Sequence, residues 1–163
     1  MPVRQRLRAE LLRCEPGASV LAAIEVLLAS DRYLLDVDAN ERSISHRLAF
    51  HLNGRFDGYD VDCEYNRDDI YPKRIRRLDL HPDEDDDERQ TVFPDIIVHR
   101  RGAKDNYLVV EVKKSSSRVD RAIDMAKLQC YKADQCLEFR FALFLEFGVG
   151  AGAGLSQARW VNA

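Results

Sequence analysis

The sequence predicts an α/β fold in which a mixed central sheet is flanked by helices and preceded by a helical extension. Two apolar runs, residues 93–98 and 107–113, are too short for helices and predict neighbouring strands. The polar segment 101–106 between them contains Gly and Asn, which favour the turn of a hairpin. Apolar residues at helical spacing before and after the runs predict the flanking helices. At 163 residues the chain fits one domain.

Residues 1–39 predict a helical extension that is split at Pro16-Gly17. The arginines near the N-terminus are followed by acidic residues, so they do not resemble a targeting leader. The apolar stretch 18–29 is short and is interrupted by Glu25, which argues against a membrane span. We therefore expect a cytoplasmic protein with no membrane contact, in which this extension either covers the sheet or forms a dimer contact.

The first core helix is predicted to begin after Asn40, a favourable N-cap residue. Apolar residues then recur every four residues from Ile44 to Leu52, and Gly54 ends the pattern. Glu41 lies one turn before Ile44 on roughly the same side of the helix. Its carboxylate is therefore expected to face the sheet.

The two predicted strands carry charged residues that share a face of the sheet. Strand side chains alternate, so Glu111 and Lys113 point the same way and Val112 points the other. Antiparallel pairing would bring Asp95 beside Glu111. Two buried carboxylates repel each other, so the arrangement is costly unless a proton, a cation or a metal offsets the charge. A hard divalent ion with oxygen ligands would meet this requirement.

Three further elements are predicted around this hairpin. Residues 59–65 alternate and indicate an earlier strand, and residues 139–147 form a strongly apolar later one. Between them, the serine run 115–117 is predicted to cap a second helix. Its apolar face is expected to carry Val119, Ile123, Ala126 and Cys130, and its other inward positions are Asp124, Lys127, Leu128 and Tyr131.

The dipeptide Pro94-Asp95, followed by Glu111-Val112-Lys113, resembles the motif of the PD-(D/E)XK nuclease superfamily. This resemblance covers residues 40–147 and implies a restriction endonuclease-like core of helix, three strands, helix and strand (αβββαβ). It implies an Mg²⁺- or Mn²⁺-dependent nuclease that hydrolyses phosphodiester bonds in DNA. Residues 148–163 lie outside that core and form a glycine-rich C-terminal tail. Its glycine run, 148–154, lacks the Lys-Ser/Thr of a phosphate-binding loop and predicts a flexible connection to residues 158–160.

The resemblance also implies roles for individual residues. Asp95 and Glu111 would hold the metal with the carbonyl of Val112, and Glu41 would complete the site directly or through water. Lys113 would position the attacking water and stabilise negative charge. It is a poor candidate for a general base, because a lysine base needs a lowered pKa and nearby carboxylates raise it. These four side chains, Glu41, Asp95, Glu111 and Lys113, are the predicted catalytic group.

Contacts with nucleic acid are predicted to be local, because a net charge of -3 excludes a broad electropositive surface. The candidates are Lys73, Arg74 and Arg76 in a basic cluster and Lys127 on the second core helix. The basic cluster equally fits a solvated strand or loop. The acidic run 83–88 predicts a solvated loop, with a partner-binding loop as the alternative. A homodimer or larger complex is plausible because cutting both strands of a duplex requires two sites.

A second interpretation of the same residues involves no catalysis. Asp95 could cap a turn or pair with an arginine, while Glu111 and Lys113 could form an ordinary ion pair on an exposed sheet. Against this, the strand carrying Glu111 is apolar on both faces, which predicts burial. The remaining alternative is a catalytically silent nuclease-fold module that binds nucleic acid or a protein partner.

Overall fold

The computed structural model describes residues 2–65, 67–68, 71–72, 74–76, 89–91, 93–133 and 137–161. The helices are α1 (Gln5–Leu11), α2 (Gly17–Ser30), α3 (Tyr33–Asp36), α4 (Glu41–Leu52) and α5 (Arg121–Ala133). The strands are β1 (Asp60–Cys63), β2 (Arg67–Asp68), β3 (Tyr71–Pro72), β4 (Arg74–Arg76), β5 (Arg89–Thr91), β6 (Ile96–Arg100), β7 (Asp105–Lys114), β8 (Phe141–Gly148) and β9 (Gly154–Trp160). Lys73, the acidic run 83–88 and the side chains of Arg74 and Arg76 lie outside the described residues.

The main sheet has five strands in the order β1-β6-β7-β8-β9 and is mixed, as predicted. Strands β1, β6 and β7 are antiparallel neighbours, whereas β8 runs parallel to β7 and antiparallel to β9. Parallel neighbours need a crossover connection, and α5 provides it between β7 and β8. Helices flank the sheet, so the predicted α/β class is confirmed. None of the described helices has the length and apolar character needed to cross a membrane.

The central strand β7 is buried on both faces. Val110 and Val112 belong to a core that also contains the buried faces of α2 and α4, while Val109 packs in a second core with Leu128 and Tyr131 of α5. Side chains alternate along a strand, so Glu111 and Lys113 share the face of Val109. This double burial leaves Glu111 only 2% exposed and Lys113 only 7% exposed.

Residues 154–160, predicted as part of a C-terminal tail outside the core, are a strand of the main sheet. These residues form β9, which pairs Trp160 with Leu143 and Gln157 with Glu146. Leu155 and Trp160 are buried in the same core although they are five positions apart, because the pairing of β9 with β8 shifts register between Leu155 and Gln157. The glycine run 148–154 ends at the first residue of this short edge strand, so the sequence pattern of the strand was not recognised.

The apolar face predicted for α5 is also largely wrong. Val119 and Ile123 are exposed at 48% and 44%, although Cys130 is buried as predicted. The serine run does not cap the helix; instead Asp120 Oδ1 accepts a hydrogen bond from the Ala122 amide at 2.9 Å. The side chains of α5 that face the sheet are Asp124, Leu128 and Tyr131. A polar residue faces inward here because β7 presents buried charges to this helix.

The predicted start of α4 is confirmed, because Asn40 Oδ1 accepts a hydrogen bond from the Ser43 amide at 2.8 Å. We expect Asn40→Ala to lower the free energy of unfolding by about 1 kcal/mol, since it leaves a helix amide without its acceptor. Urea unfolding followed by circular dichroism measures this change. Asn53→Ala, at the other end of α4, is the matched control, and an equal loss there would contradict the cap assignment.

Candidate active site

The β6–β7 hairpin brings Asp95 and Glu111 together. Ile96 pairs with Val110, and continuing this antiparallel register places Asp95 opposite Glu111. Asp95 Oδ2 accepts a hydrogen bond from the Val112 amide at 2.8 Å, which fixes its carboxylate against β7. Two acids from adjacent segments therefore meet where β6 begins.

Both carboxyl groups have raised pKa values. Burial raises the pKa of Glu111 to about 8, and the negative charge of Asp95 adds to this effect. Burial likewise raises the pKa of Asp95 to about 6, although the hydrogen bond from Val112 opposes the shift. Glu111 Oε1 is buried and has no hydrogen-bond partner among the described residues. The nearby Lys127 and Lys113 lower both pKa values, but they do not offset the effect of burial.

Lys113 lies on the same face, between two further acids. Its Nζ is 3.1 Å from Asp124 Oδ2 and 3.5 Å from Glu41 Oε1. Burial lowers the pKa of Lys113, but Asp124 and Glu41 raise it more strongly, so that the net direction is upward. Lys113 is therefore held as an ammonium ion, which suits charge stabilisation and not proton abstraction.

Asp124 and Lys127 of α5 complete the cluster. Lys127 Nζ lies 3.6 Å from Glu111 Oε2 and 3.8 Å from Asp124 Oδ1. The resulting row of alternating charges is Glu41, Lys113, Asp124, Lys127 and Glu111. Lys127 was predicted to contact nucleic acid; its ammonium faces two acids here, while 32% of its side chain remains exposed. Asp124 was absent from the predicted catalytic group, and the available signal was its helical spacing with Lys127 and Tyr131.

Glu41 reaches β7 from the first turn of α4, as predicted. Its Oε2 accepts a hydrogen bond from the Lys114 amide at 3.0 Å, and its Oε1 faces Lys113. Within the part of the chain that the structure describes, no three His, Cys, Asp or Glu side chains converge as they would around a metal ion. Glu41 thus anchors Lys113 and the end of β7, and its role as a metal ligand stays a prediction.

Arg121 fixes the connection between β7 and α5. Its guanidinium donates to the carbonyls of Lys114 and Ser117 and pairs with the buried Glu146 at 2.8 Å. Lys114, which points away from Lys113, pairs with Asp38 at 2.8 Å. These contacts hold both flanks of the motif in place.

A cavity connects Asp95 with the surface of α4. It has a volume of about 190 Å³, and its lining includes Arg42, His46, Cys63 and Asp95. Burial raises the pKa of the Cys63 thiol to about 11. This cysteine therefore stays a neutral, unreactive thiol that only lines the cavity. The cavity has room for about six water molecules, and it gives small molecules and ions access to Asp95.

Comparisons with known proteins assign no family to this chain. No family model, curated protein or solved structure matches it. The functional argument therefore depends on the residues and on the geometry described above.

Proposed function

We propose that this protein is an Mg²⁺- or Mn²⁺-dependent nuclease that hydrolyses phosphodiester bonds in DNA through a PD-(D/E)XK-type site. The observation that carries the proposal is the pair Asp95 and Glu111, two adjacent carboxyl groups with raised pKa values, one of which has an unpartnered buried oxygen. Such perturbed acids beside a lysine are typical of functional sites. The element order α4-β1-β6-β7-α5-β8 supports a restriction endonuclease-like core.

The donor set fits a hard divalent cation. Mg²⁺ is commonly bound by one or two carboxylates together with water and substrate phosphate, so it does not need a third acidic side chain. Fully ionised, the four acids and two lysines of the cluster carry a net charge of -2, which one divalent ion would neutralise. Asp95 and Glu111 would hold the ion, with the Val112 carbonyl and Glu41, the latter directly or through water.

The remaining residues of the cluster would act on the phosphate and the attacking water. A bound divalent ion supplies positive charge to the phosphate and lowers the pKa of water. Lys113, held as an ammonium by Asp124 and Glu41, would stabilise negative charge developing on the phosphoryl oxygens. Asp124 and Glu41 would keep that ammonium in position and so act through Lys113.

Calorimetric titration of Mn²⁺ and Mg²⁺ into the wild type and Asp95→Ala tests the proposal. The same samples would be incubated with supercoiled, linear, branched and single-stranded DNA. We expect metal binding and cleavage in the wild type, and loss of both in Asp95→Ala. Absence of cleavage above the level of a Lys113→Ala control, on every DNA form and with Mn²⁺, would refute the nuclease assignment.

A second candidate function is a silent nuclease-fold module that binds nucleic acid or a protein partner. The observation that favours it is the row of alternating charges, because Lys127 and Lys113 already compensate part of the acidic charge without a metal. This candidate predicts no metal binding in calorimetry. Metal-dependent cleavage that requires Asp95 would eliminate it. A homodimer, which would present two sites to a duplex, belongs only to the first candidate.

Glu41→Gln is expected to weaken Mn²⁺ binding by about tenfold, as an outer-shell residue would, whereas Asp95→Asn and Glu111→Gln should abolish it. The difference arises because the Glu41 carboxylate faces Lys113 and the Lys114 amide. Calorimetry with Mn²⁺ measures all three variants. Asp36→Asn, which removes an exposed acid paired with Arg32, serves as the control. Equal losses in the three site variants would overturn this ranking.

A further inference from the structure

A groove of about 510 Å³ runs along the edge of the sheet, between α1 and β9. Arg4 and Arg6 line it from the N-terminal side, and Gln157 and Arg159 line it from β9. All four of these side chains belong to exposed residues. Strand β9 is the last strand of the sheet in this direction, so its outer backbone groups have no strand partner in the sheet.

The groove carries positive charge that no acid in the described part of the chain pairs with. Arg4, Arg6 and Arg159 form no ion pair with any residue in the described part of the chain. Neighbouring Arg8, in contrast, pairs with Glu25. The acid that lines the groove, Glu10, is paired with Arg13 at 3.1 Å. Three guanidinium groups with no acidic partner among the described residues therefore line one groove of a chain whose net charge is -3.

We propose that this groove binds the phosphodiester backbone of the nucleic-acid substrate. Guanidinium groups offer paired donors that match phosphate oxygens, and phosphate contacts hold a polyanion without reading its sequence. The identity of this partner rests on the proposed nuclease function. The candidate active site itself contains four acids, which repel a polyanion, so binding requires cationic contacts elsewhere on the surface.

The register of the sheet relates the groove to the candidate site. Glu111 pairs with Phe144, and Phe144 pairs with Arg159, so the three residues form one cross-strand row on the same face. Two strand spacings separate the ends of this row, a distance of about 10 Å between backbones. Arg159 therefore lies on the face of the sheet that carries Glu111, whereas α1, whose Leu11 packs in the core of Val110 and Val112, forms the other wall of the groove from the opposite face.

The test is fluorescence anisotropy with a labelled DNA duplex and a labelled DNA single strand, each about 20 nucleotides long. Binding is measured in EDTA at several salt concentrations between about 50 and 200 mM. EDTA removes any dependence on cleavage. The variant is Arg4→Gln/Arg6→Gln/Arg159→Gln. The control, Arg8→Gln/Arg32→Gln/Arg100→Gln, removes the same charge from exposed or half-exposed arginines that have acidic partners.

We expect the groove variant to bind DNA at least about tenfold more weakly at low salt, and its slope of log affinity against log salt to be smaller by about two to three. The control should stay within about twofold of the wild type. Equal losses in both triple variants, or no loss in the groove variant, would overturn the proposal. Groove-dependent binding of a poly-glutamate peptide without binding of DNA would also overturn it, in favour of an acidic protein partner.

The two proposals can fail separately. Metal-dependent cleavage with DNA binding unaffected by the groove substitutions would remove the groove and leave the nuclease assignment. Groove-dependent DNA binding by a protein that cleaves no DNA form would support the groove and remove the nuclease assignment.

Discussion

Glu111→Gln is expected to abolish metal-dependent cleavage while raising the melting temperature of the protein. Cleavage should fall by about a thousandfold or more, because the substitution removes a carboxylate from the proposed metal site. The melting temperature should rise by roughly 5 °C, because a neutral amide avoids the cost of an ionised Glu111 beside Asp95. Initial cleavage rates in the presence of Mg²⁺ measure the first effect, and calorimetric melting at pH 8 in EDTA measures the second.

Glu146→Gln is the matched control for this experiment. Glu146 is also a buried acid on the same face of the sheet, but it pairs with Arg121 and accepts a hydrogen bond from Ser156. Its substitution should therefore lower the melting temperature, since it removes a satisfied acceptor. A lower melting temperature in Glu111→Gln as well would show that Glu111 is an ordinary structural acid.

The stability of the wild type should decrease as the pH rises from about 5 to about 8. In this window the folded state holds a proton on Glu111, whose pKa is about 8, whereas the unfolded state has released it near the ordinary value of 4.5. Folded protein therefore binds more protons than unfolded protein, and raising the pH favours unfolding. Asp95 adds to the trend between about pH 4 and pH 6.

Urea unfolding at a series of pH values in EDTA measures this trend, and Glu111→Gln should flatten it. Addition of Mn²⁺ at pH 8 should restore about 2.7 kcal/mol when the metal is at a hundred times its dissociation constant. Asp31 and Asp62 do not interfere, because their pKa values are lowered and they titrate below this window. Stability that is constant from pH 5 to pH 8 would contradict the assignment of a strained acid pair.

Local patterns predicted the elements that position the motif. Asn40 identified the start of α4, and the turn at 101–104 fixed the hairpin that brings Asp95 to Glu111. These features depend on a few consecutive residues, so they can be derived from the sequence. The burial of Lys113 followed from the apolar character of both faces of β7.

The features that were missed depend on contacts between distant segments. Helical spacing predicted that Asp124 faces inward, but it did not predict the ion pair of Asp124 with Lys113, because hydrophobic periodicity carries no information about buried ion pairs. Strand β9 was concealed by the glycines that precede it. The groove joins Arg6 to Arg159 only through the packing of α1 on β9.

The contact between α1 and β9 also affects how the protein folds during its synthesis. The indole of Trp160 donates hydrogen bonds to the carbonyls of Glu10 and Leu11, each at 3.1 Å, and thereby joins segments about 150 positions apart. A nascent chain emerges from the ribosome with its N-terminus first. Helix α1 therefore has to wait, without its partner strand, while about 150 further residues are translated, and this edge of the sheet can close only after β9 has emerged.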